Sequence, residues 1–366
     1  MPARLRPARR RLRAVALTAS ITAALLGAPA LTASAATEGS GSSALKALAA
    51  RSGLKIGTAV NTDQLGANAR YDAITRDQFS SVTPENVMKW DAIEPQRGEL
   101  DFAAADELVA FAKKNKQLVR GHTLVWYNQL PQWLVDIGPS LTKQQATQIL
   151  RQHIRDEMGH FKGKIWQWDV VNEAFEEDGT LRNNLWLQKI GPDYIAKAFR
   201  WAHEADPKAL LFYNDYNIEY GGPKQEATYA LVKQLKKDRV PIDGVGFQTH
   251  LDTQYDIPDL QSTMQRFAKL GLKTAETEVD VRTTLPVTAV EQSAQKAGYS
   301  ETLQACLLVK ACISYTVWGF GDAYSWIPGV FPGQGAADLY DEQLVAKPLY
   351  TSVQTVLRTA KGVPRR

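Results

Sequence analysis

The sequence predicts an α/β fold, a (β/α)8 TIM barrel in which one parallel sheet closes on itself. Eight strand-like apolar runs alternate with stretches of helical spacing, the pattern of a parallel sheet wrapped by helices. An open doubly wound sheet shows the same alternation, but no Gly-x-Gly-x-x-Gly turn follows an early strand. Polar and aromatic residues gather where the runs end, and in a closed parallel barrel those ends open onto one mouth.

The first run, Lys55 to Val60, is followed by a weakly marked helix over Asp63 to Asn68. The second, Ser80 to Thr83, leads into Pro84-Glu85-Asn86-Val87-Met88-Lys89-Trp90 and a helix over Phe102 to Asn115. The third, Gln117 to His122, continues as Thr123-Leu124-Val125-Trp126 before a long helix, Thr142 to Phe161. The fourth, Ile165 to Val171, closes in Asn172-Glu173, with a helix over Asp193 to Ala205 behind it. The fifth, Ala209 to Asn214, runs into Asp215-Tyr216-Asn217 and a helix from Pro223 to Asp238. The sixth, Gly244 to Gln248, gives Thr249-His250 and a helix from Asp259 to Leu270. The seventh, Lys273 to Glu278, precedes a helix over Val290 to Val309. The eighth, Cys312 to Trp318, is followed by Trp326, a Gly- and Pro-rich rim over Ile327 to Asp338, and a closing helix over Lys347 to Thr359.

Residues 1 to 36 read as a secretory signal peptide. Six arginines precede an apolar run from Ala14 to Leu26 and the small residues Thr32-Ala33-Ser34-Ala35-Ala36. The run is too short for a membrane span, which takes roughly 20 apolar residues. Removing this leader takes the basic residues from 43 to 37 against 39 acidic ones, so the formal charge moves from +4 to −2. The basic character therefore sits in the leader, which argues against a nucleic-acid partner. A secreted, extracellular protein is expected, with residues 37 to 43 as a flexible N-terminus and residues 44 to 366 as one catalytic domain. Nothing in the pattern calls for a second copy, so a monomer is expected. Cys306 and Cys312 lie six positions apart. In an exported chain a disulfide between them is permitted, with two buried thiols as the alternative.

Two carboxylate motifs carry the chemistry, Trp168-Asp169-Val170-Val171-Asn172-Glu173 and Ala275-Glu276-Thr277-Glu278-Val279-Asp280. Each places a glutamate at the end of a strand, facing the mouth. A retaining glycosidase needs such a pair about 5 to 5.5 Å apart, one protonated to release the leaving oxygen and one ionised to attack the anomeric carbon. The indoles nearby suit the flat apolar faces of pyranose rings.

These segments resemble glycoside hydrolase family 10, the retaining β-1,4-xylanases, over nearly the whole chain from Gly57-Thr58-Ala59-Val60 to Lys347-Pro348-Leu349-Tyr350. The resemblance implies that Glu173 is the general acid/base, Glu278 the nucleophile and Asn172 the partner of the sugar 2-hydroxyl. His250 would hydrogen-bond the nucleophile, and Asp280 would orient His250. Glu85, Asn86, Lys89, His122, Trp126, Gln248, Trp318 and Trp326 would hold two sugars on the non-reducing side, and Tyr216 and Asn217 would meet the leaving group. The resemblance also implies a Cys306–Cys312 disulfide. The segment Trp318-Gly319-Phe320-Gly321-Asp322 departs from the family pattern at Phe320 and Gly321.

A strand-end glutamate taken alone is as often a partner for a neighbouring Lys or Arg, and only the set of motifs singles these two out. Glu276 shares the face of Glu278 and reads as deeper in the barrel, where it needs a partner. Glu176, Glu177 and Asp178 read as solvated loop charges. No His-Glu-x-x-His or Cys-x-x-Cys spacing is present, so neither metal nor cofactor is expected. The substrate expected is xylan or its oligosaccharides. The alternatives are a related barrel acting on β-1,4-glucan or a plant glycoside, and a barrel that only binds glycans.

Overall fold

Strands buried on both faces fix the architecture, and a computed structural model describes residues 37–359 of the chain. The signal peptide expected over residues 1 to 36 lies outside the described residues. The barrel strands are β1 (Lys55–Val60), β2 (Ser81–Pro84), β3 (Leu118–Gly121), β4 (Gln167–Asn172), β5 (Leu210–Asp215) and β6 (Gly244–Phe247). After a short β7 (His250–Asp252) come β8 (Lys273–Thr284) and β9 (Cys312–Val317). β1 to β6 pair in sequence order, β6 pairs with β8, β8 with β9, and β9 returns to β1, so eight parallel strands close the ring.

Three elements differ from the sequence reading. The helix after β1 is Ala69–Gln78, not Asp63 to Asn68, because the Asn68 side chain accepts from the backbone N–H groups of Arg70 and Tyr71 and so starts the helix there. β8 runs six residues past Glu278. Its extension is paired by β7 on one side and by β10 (Gln334–Gly335) on the other. Residues 37 to 43, expected to be flexible, are tied down from Gly39 onward. Gly39 N–H donates to Tyr350 Oη (2.9 Å), and Gln78 Nε2 donates to the Gly39 carbonyl (2.9 Å).

The core between sheet and helices is continuous from Leu45 to Leu357. Cys306 and Cys312 form a disulfide that links the helix Ala289–Leu308 to the start of β9. No described helix is long and apolar enough to cross a membrane. The rim segment Ile327 to Asp338 supports Trp326: Phe331 meets its ring edge-on at 5.7 Å between centroids, and Gln334–Gly335 anchors the segment to β8.

Candidate active site

Glu173 follows β4 directly and has φ +55°, a left-handed conformation that costs a non-glycine residue energy. Its surroundings hold that turn. Its N–H donates to the Asn214 carbonyl (2.9 Å), and its carbonyl accepts from Arg182 Nε (3.0 Å). The next N–H, of Ala174, donates to Tyr213 Oη (3.1 Å). The carboxyl is thereby aimed into the mouth. Its Oε1 accepts from Asn172 Nδ2 (3.1 Å) and Gln248 Nε2 (3.0 Å), and Oε2 from Trp126 Nε1 (3.0 Å). All three donors are neutral.

Glu278 has a different environment. Oε1 accepts from Asn214 Nδ2 (2.8 Å) and lies 3.4 Å from Arg120 Nη2, while Oε2 is 3.3 Å from His250 Nε2. Burial pushes its pKa up. The hydrogen bond from His250 and the charges of His122, His250 and Arg120 overcome that and hold it well below the usual carboxylate range. His250 is held in turn by Asp280, whose Oδ2 lies 2.9 Å from His250 Nδ1 and also accepts from Trp326 Nε1 (2.8 Å). Burial lowers the pKa of His250, but Asp280 and Glu278 together raise it to about 10.

Three supporting residues escaped the sequence reading: Arg120, Asp169 and Asn214. Arg120 is ion-paired with Asp169 and donates from Nη1 to the Thr277 carbonyl (2.9 Å). Asp169 also receives His122 Nδ1 (2.9 Å). Asn214 donates to both Asn172 Oδ1 and Glu278 Oε1 at 2.8 Å, so one amide links the two glutamates' networks. The available signal was an Arg and an Asp inside otherwise apolar runs, since a charge in a buried strand demands a partner. Gly246 makes room for the bridge, because a Cβ there would sit 2.3 Å from Asn214 Oδ1.

His122, Asp169 and Glu278 each offer a ligand atom, all within 4.8 Å of one another. The guanidinium of Arg120 contacts both carboxylates and supplies the positive charge at that position.

The remaining residues singled out in the sequence divide around the same mouth. Lys89 is buried and donates to Asn86 Oδ1 (3.0 Å), and its ammonium sits 5.1 Å from the Trp126 ring centroid. Burial lowers the Lys89 pKa against the opposing pull of Glu278 and Glu85, and burial raises that of Glu85 against Lys89. Trp318 is buried and meets His122 edge-on at 5.2 Å. On the other side Tyr216 accepts from Arg182 Nη2 (3.0 Å), and Asn217 Nδ2 reaches Glu177 (3.2 Å).

One expectation about a carboxylate needs correction. Glu276 is wholly buried, yet neither oxygen has a hydrogen-bond partner among the described residues. Burial raises its pKa well above the ordinary value. Glu176 and Glu177 are solvated loop charges as expected, their side chains 44% and 58% exposed, and they also pair with Arg182 (3.2 Å) and with the buried Lys224 (3.0 Å). A further buried carboxyl, Asp215, accepts from Tyr213 Oη (2.5 Å) and lies 3.0 Å from Lys224 Nζ. Burial pushes it up to about 7 against the pull of Lys224.

A closed parallel barrel with two carboxylates of unlike surroundings at one mouth, rimmed by indoles, defines a glycoside hydrolase. The profile of glycosyl hydrolase family 10 matches residues 44–356. The endo-1,4-beta-xylanase A of Phanerodontia chrysosporium is 43% identical over 306 residues, 83% of this chain and 74% of that protein. The crystal structure of xylanase 10B from Thermotoga petrophila in complex with xylobiose aligns with a TM-score of 0.83 at 42% identity, covering 86% of this chain and 97% of that one. Native xylanase 10B from Thermotoga maritima gives 0.83 at 43% identity, covering 86% and 98%. The chain belongs to glycosyl hydrolase family 10.

Proposed function

We propose that this protein is a secreted endo-1,4-β-xylanase whose catalytic domain, residues 44 to 366, cleaves internal bonds of xylan with retention of configuration. The observation that carries the assignment of roles is the contrast between the two glutamates. Glu278 is backed by cationic donors and stays ionised, as a nucleophile must. Glu173 is surrounded by neutral amide and indole donors.

In the first half-reaction Glu173 gives its proton to the leaving oxygen while Glu278 attacks the anomeric carbon, forming a glycosyl ester. The negative charge of Glu278 is consumed in that ester. Repulsion of a second negative charge at Glu173 then falls, and Glu173 takes a proton from the incoming water. His250, held by Asp280, keeps Glu278 oriented and ready to leave in the second step. Asn172, whose amide faces both networks, is the donor for the 2-hydroxyl. Glu85, Asn86, Lys89, His122, Trp126, Gln248, Trp318 and Trp326 hold the two sugars on the non-reducing side, and Tyr216 and Asn217 meet the leaving group. The endo-1,4-beta-xylanase activity for which its relatives are named and the xylobiose complex of a structural neighbour support the choice of xylan.

The test is the ratio of kcat/KM for an aryl β-xylobioside over the aryl β-cellobioside. Excluding a hydroxymethyl group by shape is worth about 1 to 3 kcal/mol per contact, so a ratio of about ten or more is expected. A ratio near or below one assigns the barrel to β-glucans or glucosides. Turnover of neither leaves a glycan-binding protein.

A further inference from the structure

β4 ends at Asn172, so the carbonyls of Glu173, Ala174 and Phe175 fall outside its ladder. All three residues are buried, and a buried carbonyl needs a donor. Arg182 serves the three in succession. Its Nε donates to the Glu173 carbonyl (3.0 Å), its backbone N–H to the Ala174 carbonyl (2.7 Å) and its Nη2 to the Phe175 carbonyl (3.2 Å). Glu176, the next residue along, lies 3.2 Å from Nη1. The hairpin that returns Arg182 to this place is pinned by the bridge between Phe175 and Leu181 and by Glu176 N–H, which donates to the Thr180 carbonyl (2.9 Å). The same guanidinium reaches two further segments of the mouth. Nη2 also donates to Tyr216 Oη (3.0 Å) after β5, and Cζ sits 4.3 Å from the ring centroid of Tyr127 after β3. Tyr127 follows Trp126, whose indole donates to Glu173 Oε2. One side chain therefore joins the backbone of Glu173, the segment that carries its indole donor, and Tyr216.

We propose that Arg182 is a positioning residue for the acid/base: its guanidinium fixes the left-handed turn at Glu173 and so sets where that carboxyl stands relative to the leaving oxygen. The proposal rests on the acid role given to Glu173 above. Arg182 acts on the backbone of Glu173, not on its carboxyl. A left-handed turn at a non-glycine residue persists only where its surroundings over-determine it, and three successive carbonyls held by one residue do so here. Proton transfer in turn depends on placement, since a displacement of about 1 Å can cost about 10² in rate. Lysine cannot stand in, because an ammonium is a single charged point whereas a guanidinium presents its donors in a rigid planar fork.

The experiment measures kcat/KM for phenyl β-xylobioside, whose leaving group needs a proton, and for 2,4-dinitrophenyl β-xylobioside, whose leaving group departs without one. In Arg182→Ala the ratio of the first to the second falls about tenfold to a hundredfold, the loss expected when an acid is displaced by about 1 Å. Arg182→Lys keeps the charge without the fork, and its ratio falls nearly as far. The ratio does not depend on what fraction of the protein is folded, so a destabilised variant still gives an answer. An unchanged ratio in Arg182→Ala overturns the proposal, and so does a parallel loss on both substrates, which marks a purely structural arginine. A wild-type ratio in Arg182→Lys overturns it as well, because a point charge would then suffice. Glu173→Ala, measured alongside, separates the two readings: an unchanged ratio in that variant overturns the acid role itself, whereas a lowered ratio there with an unchanged one in Arg182→Ala overturns only the role of Arg182.

Discussion

Replacing Glu278 by Ala removes the carboxylate on which Asn214, Arg120 and His250 converge. Asn214 Nδ2 at 2.8 Å, Arg120 Nη2 at 3.4 Å and His250 Nε2 at 3.3 Å all lose their acceptor. Breaking a buried ion pair by deleting one partner typically costs about 3 to 5 kcal/mol, because the other charge stays buried without compensation. The cost here falls at the low end, about 3 kcal/mol, since Arg120 keeps Asp169 and the Thr277 carbonyl, and His250 keeps Asp280. Loss of a covalent nucleophile is worth on the order of 10⁴ to 10⁶ in kcat. The variant should therefore fold, melt at a lower temperature and show almost no turnover of 2,4-dinitrophenyl β-xylobioside.

The cavity left behind faces an imidazolium and a guanidinium, so a small anion restores what was lost. Sodium azide should recover turnover and give the α-glycosyl azide, since it enters from the face that Glu278 occupied. It should also raise the melting temperature of the variant, by about 1.4 kcal/mol of stability at ten times its dissociation constant. Rates, thermal melts and the anomeric coupling in the proton NMR spectrum of the product read all three effects. Full activity without azide, or a product of β configuration, refutes the assignment.

For Glu173→Ala, kcat/KM on xylohexaose should fall about 10²- to 10⁴-fold, the usual contribution of a general acid, while a dinitrophenyl xylobioside, which leaves without protonation, loses far less; equal loss on both counts against the acid role. His250 is raised from its ordinary value to about 10, so the stability it contributes is fully present below about pH 6.5 and is lost as pH rises through about 10. Its imidazole nitrogen shifts should therefore show an imidazolium through pH 8, and a midpoint near 6.5 rejects the Asp280–His250–Glu278 arrangement. Glu278 runs the other way: its pKa is depressed, so its contribution is present above the ordinary carboxylate range and is lost only as pH falls through the depressed value. Gly246→Ala drives a Cβ to within 2.3 Å of Asn214 Oδ1 and should displace the amide that bridges the two glutamates. The expected result is a tenfold or larger loss in kcat/KM, set by about 1.4 kcal/mol of lost transition-state stabilisation, with an unchanged circular dichroism spectrum; wild-type kinetics would show that the bridge is idle.

The barrel was legible because each of its parallel strands is buried on both faces and reads as an apolar run, with a polar cluster where the run meets the mouth. Glu173 and Glu278 stood out for that reason. The helix start at Asn68 was misplaced because a capping Asn and a helical Asn look alike until the two backbone donors it accepts are known. The residues behind the nucleophile were missed for a different reason. Arg120 finds Asp169 from 49 residues away and Glu278 from 158 residues away, and a pairing of that kind follows from which strands become neighbours across the barrel. Strand type is written locally, whereas a partner across the barrel follows from closure. The same holds for Asn214, whose two acceptors belong to β4 and β8.

The opposite roles proposed for two glutamates of identical chemistry follow from the different strands that closure puts behind them. β3 and β7 place Arg120 and His250 against Glu278, and Asp280, two residues along β8, keeps the imidazole charged. β4 and the segments after β3 and β6 give Glu173 only dipoles, from Asn172, Trp126 and Gln248. A dipole tolerates either protonation state of its partner, since a protonated carboxyl still accepts at its carbonyl oxygen. A full positive charge does not, and fixes the carboxylate in its ionised form. In the proposed double displacement, the group that must cycle its proton is held by neutral donors, and the group that must stay charged is held by cations.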